Sequence, residues 1–215
     1  MDTRATYDRI AEHFAETREY PWPEVESFVA ETAIGGSARA LDLGCGNGRH
    51  AELLAEYTAD VVGVDVSRGL LRTAGDRATA REFDVDRLQG DASRLPLRDD
   101  VFSLAVYVAT LHHLRPRETR VASLDELARV LAPGGRALVS AWSTAHDRFD
   151  APVDADVGFD TEVDWTLPGG ETVPRFYHIY APPEFEADLA DSDCRVVSSE
   201  VSSGNCYAVV GPGSE

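Results

Sequence analysis

Residues Leu41 to Gly48 read Leu-Asp-Leu-Gly-Cys-Gly-Asn-Gly, a short apolar run that ends in a Gly-x-Gly-x-Gly turn and leads into a helical pattern. Glycines at alternate positions leave no Cβ between backbone and ligand, and they admit the positive φ that a tight strand-to-helix turn requires. A strand, a glycine turn and a helix in that order admit a nucleotide-type cofactor to an α/β sheet, although the same turn also serves as a plain connection. The rest of the chain has to separate the two readings. Its 215 residues, 43% of them hydrophobic, suffice for one well-buried domain over 1–215 and are too few for two large ones.

The formal net charge is −18, and all 20 basic residues are arginine. Because the acids are spread through periodic segments and not blocked, they read as the surface of a folded protein adapted to high salt, a halophile's, and not as a disordered tail. At 1 M salt the Debye length is about 3 Å, so acidity does not exclude a nucleic-acid partner. Cys45, Cys194 and Cys206 show no metal-binding spacing and read as free thiols. The start of the chain lacks the apolar core of a signal peptide, and no run of eighteen apolar residues occurs, so a cytoplasmic protein is expected.

Tyr7, Ile10, Ala11 and Phe14 are spaced as one face of a helix and predict an amphipathic helix over 4–15. Pro21 and Pro23 interrupt it, and Pro23 opens a second helix over 24–32 that ends at Gly35 and Gly36. Strands are expected at 39–43, 61–65, 83–88, 101–108 and 137–142, with helices at 48–57, 68–78 and after Pro116. The strand at 101–108 is apolar at nearly every position, as a parallel strand covered on both faces must be. Residues 143–174 are acidic and broken by glycine and proline, with a hairpin around Trp165, Leu167 and Thr172. Residues 175–180 read as extended, Pro182 and Pro183 start a helix to Ala190, and 195–201 and 205–210 form two closing antiparallel strands.

Asp65 ends the second strand 21 positions after Gly44, close to the roughly 20-residue spacing at which an acid reaches ribose hydroxyls. Ser67 is free to cap the next helix instead. A dinucleotide wants its pyrophosphate at the glycine turn, but Asp42 precedes that turn and would repel it. The same acid attracts the ammonium group of S-adenosylmethionine, and Asp91 with Ala92, after the third strand, can meet adenine.

With these residues the stretch from about Ala38 to Trp142 resembles the class I S-adenosylmethionine-dependent methyltransferases: Asp-Leu-Gly-Cys-Gly-Asn-Gly, Val-Gly-Val-Asp, Gly-Asp-Ala and Ala-Pro-Gly-Gly all recur. The resemblance implies an α/β Rossmann-like fold, a seven-stranded mostly parallel sheet in the order 3-2-1-4-5-7-6, with helices on both faces and an insertion after strand five. It also implies cofactor contacts from Asp42, Gly44, Cys45, Gly46, Asp65, Val66, Asp91, Ala92 and Ala109.

A narrower resemblance covers nearly the whole chain. Tyr-Asp-x-Ile-Ala-x-His-Phe, Thr-Arg-x-x-Pro-Trp-Pro at 17–23, His112-His113, Trp142, Arg175-Phe-Tyr-His178 and Gly204-Asn205-Cys206 are similar to the tRNA wobble-uridine methyltransferases, which esterify 5-carboxymethyluridine. It implies tRNA as substrate and a small zinc-binding activator protein as partner in a heterodimer. An N-terminal helical cap over 1–36 and an insertion with a substrate loop over 143–180 would flank the cofactor domain. Residues 143–173, which contain no lysine, offer no substrate contact to carry over.

An ionised carboxylate acceptor needs no strong general base, and arginine suits it because the guanidinium fork can hold a carboxylate bidentately. Arg18, His112 and Arg175 are therefore the expected catalytic residues, with Trp22, His113, Trp142, Tyr177 and His178 lining the acceptor pocket. Each has a plainer alternative, from a salt bridge for Arg18 to core packing for the tryptophans. Arg115, Arg117 and Arg120 form a cluster that could meet tRNA or be a solvated helix face. Strand three is an edge in the implied order, so Phe83, Val85 and Leu88 are the expected partner-docking residues by strand addition. A small-molecule methyltransferase would share 38–142, and an inactive scaffold would be expected to lose Asp42, Gly44, Gly46 or Asp65, all of which are present.

Overall fold

Apolar runs bounded by glycine turns bury strands on both faces, and the computed structural model, which describes residues 2–32, 39–149 and 155–213, places them at the centre of the molecule. From Ala40 onward β1 (Arg39–Leu43) is buried, and β4 (Phe102–Val108) is buried except at Ser103. With β2 (Asp60–Asp65), β3 (Asp86–Gln89), β5 (Leu131–Trp142), β8 (Cys194–Ser202) and β9 (Asn205–Pro212) they form a seven-stranded sheet ordered β3-β2-β1-β4-β5-β9-β8. Neighbours pair in parallel through β5, and β9 pairs antiparallel with both β5 and β8. Counting only these seven, the order is the expected 3-2-1-4-5-7-6.

Helices α1 (Thr3–Thr17), α2 (Pro23–Thr32), α3 (Arg49–Ala55), α4 (Arg68–Arg81), α5 (Arg117–Val130) and α6 (Pro182–Ala190) surround the sheet. Leu41, Tyr107, Leu124 and Leu127 are fully buried between β-sheet and helices, each burial contributing about 1.5–3 kcal/mol. On the other face, Val25, Val29, Leu54 and Val106 form a second cluster.

Two elements stand over the carboxyl ends of the strands and shape the site. The first, α1, lies tightly on α4: a Cβ on Gly69 would fall 2.9 Å from the Ala11 Cβ, and Asp8 Oδ1 accepts from Ser67 Oγ (2.7 Å) and Gly69 N (2.8 Å). The second is a hairpin, β6 (Phe159–Thr166) and β7 (Thr172–Ile179), which forms its own two-stranded sheet. Trp165 joins the two, packing with Tyr7, Ile10 and Leu70 while its Nε1 donates to His13 Nδ1 at 3.0 Å.

Several boundaries differ from the sequence pattern for local reasons. Helix α4 runs on to Arg81 and stops at Glu82 in a left-handed conformation, with Phe83 N still bonded to Ala78 O. Pairing with β2 begins only at Asp86, so Phe83 and Val85 precede the strand expected at 83–88. Strand β5 starts at Leu131, six residues early, because a bulge at Gly134 and Gly135 lets the chain rejoin β4. The hairpin is longer than expected and absorbs 175–179. Gly35 and Gly36, and residues 150–154 of the insertion, lie outside the described residues. Among the described residues no helix is long and apolar enough to cross a membrane.

Candidate active site

The glycine turn after β1 is left-handed at Gly44 (φ 73°), Gly46 (φ 53°) and Gly48 (φ 79°). Gly44 admits no side chain, since a Cβ there would fall 2.1 Å from Thr110 Oγ1. Gly44 N and Cys45 N both donate to Val64 O, at 2.8 and 2.9 Å, which draws the turn onto the end of β2. There Asp65 accepts from Gly46 N (2.9 Å) through Oδ2 and from Ser67 N (2.8 Å) through Oδ1. Each oxygen keeps lone-pair capacity for a ligand. Burial lifts the Asp65 carboxyl to about 6, only partly opposed by those backbone N–H groups. Ser67 caps α4 through Leu70 N, leaving Asp65 to the cleft.

Asp42 departs from expectation. Its strand is flanked by β2 and β4, and its side chain is 1% exposed behind the glycine turn instead of on the cleft wall. Neither carboxyl oxygen has a hydrogen-bond partner, and His50 Nδ1 stands 4.0 Å away. Burial raises the carboxyl to about 7, helped by the Asp65 charge, while the Ala51 N–H, which faces the carboxyl without hydrogen-bond geometry, and the Arg49 charge pull the other way. An acid in that state favours a cation nearby but acts through the field and not by surface contact.

The cleft above the turn has a volume of about 850 Å³, inside the roughly 300–1,000 Å³ usual for ligand pockets. Gly44, Cys45, Gly46, Asp65, Val66, Asp91, Ala92 and Ala109 line one half, all expected cofactor residues. Ala109 holds a left-handed φ of 53°, a strain of about 1–3 kcal/mol for a residue with a Cβ, pinned by bonds from its N to Ser140 O and Oγ. Asp91 caps its own turn, with Oδ1 accepting from Ser93 N and Oγ. A bare left-handed backbone beside the Asp65 carboxylate, with a buried acid behind, suits S-adenosylmethionine better than a pyrophosphate.

The other half is aromatic and cationic, lined by Arg18, Trp22, His112, His113, Trp142, Arg175 and Tyr177. His112 Nδ1 accepts from Trp142 N at 3.0 Å, so its proton sits on Nε2, which has no partner among the described residues. Burial, reinforced by the neighbouring His113 and Arg175, holds His112 well below its ordinary range and therefore neutral. His113 carries the opposite tautomer: Nδ1–H donates to Phe176 O (2.8 Å), and Nε2 accepts from Tyr7 OH (2.7 Å). Its pKa is pushed to about 3 by burial. With both nitrogens committed, His113 ties α1 to β7 across the cleft and offers an acceptor only its ring.

Arg175 is 7% exposed, its guanidinium 4.8 Å from the Trp165 ring and 5.1 Å from the Tyr177 ring, and its Nε has no partner. Arg18 meets Trp165 too, at 5.1 Å. It makes no bridge to Glu16 or Glu19, and its backbone carbonyl is held by Asn47 Nδ2 at 2.7 Å, a link from the glycine turn to the acceptor side. Tyr177 stacks on His112 and on Trp142, each at 4.8 Å.

His178 does not belong to this group. Along β7 side chains alternate, so Arg175 and Tyr177 face the cleft while His178 points away, with Nδ1 against Asp160 (2.7 Å) and Nε2 against Glu184 (3.0 Å). Arg117 and Arg120 are engaged by acids of this chain: Arg117, still exposed, pairs with Asp188 and Asp191, and Arg120 is buried against Asp188 and Glu184 of α6. Only Arg115 of that cluster reaches the cleft. Sequence reading missed Tyr7, Thr110, Arg148 and Trp165 as site residues. Tyr7 gave one signal, since a buried tyrosine needs a partner for its hydroxyl.

The strand order and the glycine turn are those of the class I S-adenosylmethionine-dependent methyltransferase fold, and residues 41–139 match the family described as Methyltransferase domain. Among curated relatives, the chain is 36% identical over 141 residues to the tRNA (carboxymethyluridine(34)-5-O)-methyltransferase of Arabidopsis thaliana, covering 66% of this chain and 32% of that protein. It is 30% identical over 169 residues to the Saccharomyces cerevisiae protein of the same name, covering 79% of this chain and 58% of the other. The chain thus spans about a third of the first and under three fifths of the second. A solved Haloferax volcanii complex, described as that of the Trm112 methyltransferase activator and a putative methyltransferase, matches with a TM-score of 0.72 at 15% identity over 100% of this chain and 99% of that one. That likeness concerns the fold.

Proposed function

We propose that the chain transfers a methyl group from S-adenosylmethionine to the carboxylate of 5-carboxymethyluridine at the wobble position of tRNA, forming a methyl ester. The observation that carries this reading is Arg175, a buried guanidinium between Trp165 and Tyr177 with no carboxylate in ion-pair distance among the described residues, in a chain with 38 acidic side chains. Such a cation calls for an anionic acceptor. The names of the relatives supply the nucleoside.

Bound at the glycine turn, the cofactor supplies a sulfonium-activated methyl group. Asp65 would hold its ribose, Asp91 and Ala92 its adenine, and the field of Asp42 its ammonium group. A carboxylate acceptor, ionised above about pH 4, asks no residue to remove a proton. The neutral histidines agree with that. Arg175 and Arg18 orient the carboxylate while the aromatic faces limit how tightly it is held, and the His112 Nε2–H donates to one acceptor oxygen. Trp22, Trp142 and Tyr177 take the base by stacking, and catalysis then rests on positioning and electrostatics.

A zinc-binding activator would dock by strand addition at β3, which pairs only with β2 among the described residues and leaves its outer edge open. Leu88 lies in that strand; Phe83 and Val85 lie just before it and would flank the added strand. Transfer of labelled methyl to tRNA from cells lacking this gene tests the reading, run with wild type and Arg175→Gln, with and without the activator. Labelling that is lost in the variant supports it. Labelling of a small molecule and never of tRNA would replace it with the small-molecule alternative.

A further inference from the structure

We infer that Arg148 is a phosphodiester contact, binding a backbone phosphate beside the nucleotide held in the cleft; the inference rests on the tRNA reading. Arg148 lines the cleft, is exposed, and has no carboxylate within ion-pair distance among the described residues. The turn that carries it is fixed. The turn after β5 is held by bonds from His146 N to Ser143 O (3.1 Å), from Ala145 N to Ser143 Oγ (3.1 Å) and from Arg148 N to His146 Nδ1 (3.0 Å). Below it, Gly204 leaves no room for a side chain, since a Cβ there would fall 2.7 Å from His146. The β8–β9 turn therefore sets the height of the Arg148 turn over the cleft.

The guanidinium of Arg148 lies 6.0 Å from the Trp142 ring, and Trp142 stacks on Tyr177, which Arg175 meets at 5.1 Å. One aromatic platform thus carries a buried cation at its inner end and an exposed cation at its outer end. A nucleotide within an RNA strand presents the matching pair, an anionic group on the base that can be buried and a phosphodiester that stays at the surface. A free carboxylic acid presents only the first.

The test measures binding of an anticodon stem-loop RNA to the full chain across a range of salt, for wild type, R148Q and R148K. Each phosphate neutralised in single-stranded RNA contributes about −0.7 to the slope of log affinity against log salt. R148Q should lose one such increment, so its disadvantage against wild type shrinks about fivefold for each tenfold rise in salt. R148K, which keeps the charge, should retain the wild-type slope. Equal slopes for wild type and R148Q would overturn this inference alone. If wild type binds no RNA at any salt, the tRNA reading falls and takes this one with it.

Discussion

The His112 tautomer makes the sharpest mechanistic prediction. Because Trp142 N donates to Nδ1, His112 presents an Nε2–H, and burial keeps the ring from accepting a second proton. It can donate a hydrogen bond and cannot act as a base. A hydrogen bond to a charged group contributes about 1.5–3 kcal/mol, so His112→Ala should lower kcat/KM about 10- to 150-fold. His112→Gln, which keeps an N–H donor at a similar reach, should recover most of that. With cofactor saturating, the wild-type rate should be flat between about pH 6 and pH 9, since neither histidine titrates there and the acceptor carboxylate is already ionised. The assay is initial-rate methyl transfer to tRNA across that range for all three proteins. A rate that falls below about pH 7 in wild type and becomes flat in His112→Gln would refute the reasoning, because it would show a histidine removing a proton.

Cofactor affinity, in contrast, should depend on pH. Asp42 near 7 and Asp65 near 6 must both be ionised to favour the cofactor, so calorimetry should show affinity rising about tenfold per unit as pH approaches 7 from 6, then levelling. The same shift predicts stability in the opposite sense: raised above its unfolded value, the Asp42 pKa favours the fold at low pH, and that contribution is lost as pH rises through about 7. Asp42→Asn should therefore raise the Tm of the ligand-free protein at pH 8 while weakening the Tm increase that S-adenosylmethionine produces. Gly44→Ala meets both a φ of 73° and Thr110, and calorimetry should find cofactor binding abolished and Tm lowered. His178→Ala severs Asp160 from Glu184 without touching the cleft, so Tm should fall while kcat at saturation is kept; lost turnover with an unchanged Tm would return His178 to the acceptor pocket.

How far the sequence could be read depended on how local each feature is. The glycine turn, Asp65 and the Ser67 cap are each carried by a motif of a few residues, and they stand where the pattern put them. Asp42 was legible as an acid beside that turn, but its depth depends on β2 and β4 on either side of it, which spacing does not reveal. His178 was recoverable in principle: period-two alternation on β7 forbids Arg175, Tyr177 and His178 from facing one cleft. Arg117 and Arg120 were not, because their partners Glu184, Asp188 and Asp191 are more than sixty positions away on or beside α6. Arg148 and Trp165 sit in the acidic insertion, where composition outweighs any periodic signal, and only the folded hairpin and turn bring them to the cleft.

The central claim is that the methyl group ends on a carboxylate. Methylating tRNA in vitro, digesting it to nucleosides and following the new product by mass spectrometry before and after mild alkali tests it directly. The account predicts a methylated uridine derivative that alkali returns to its carboxylate precursor. A methyl group that survives alkali, or one found on any other nucleoside, would contradict it.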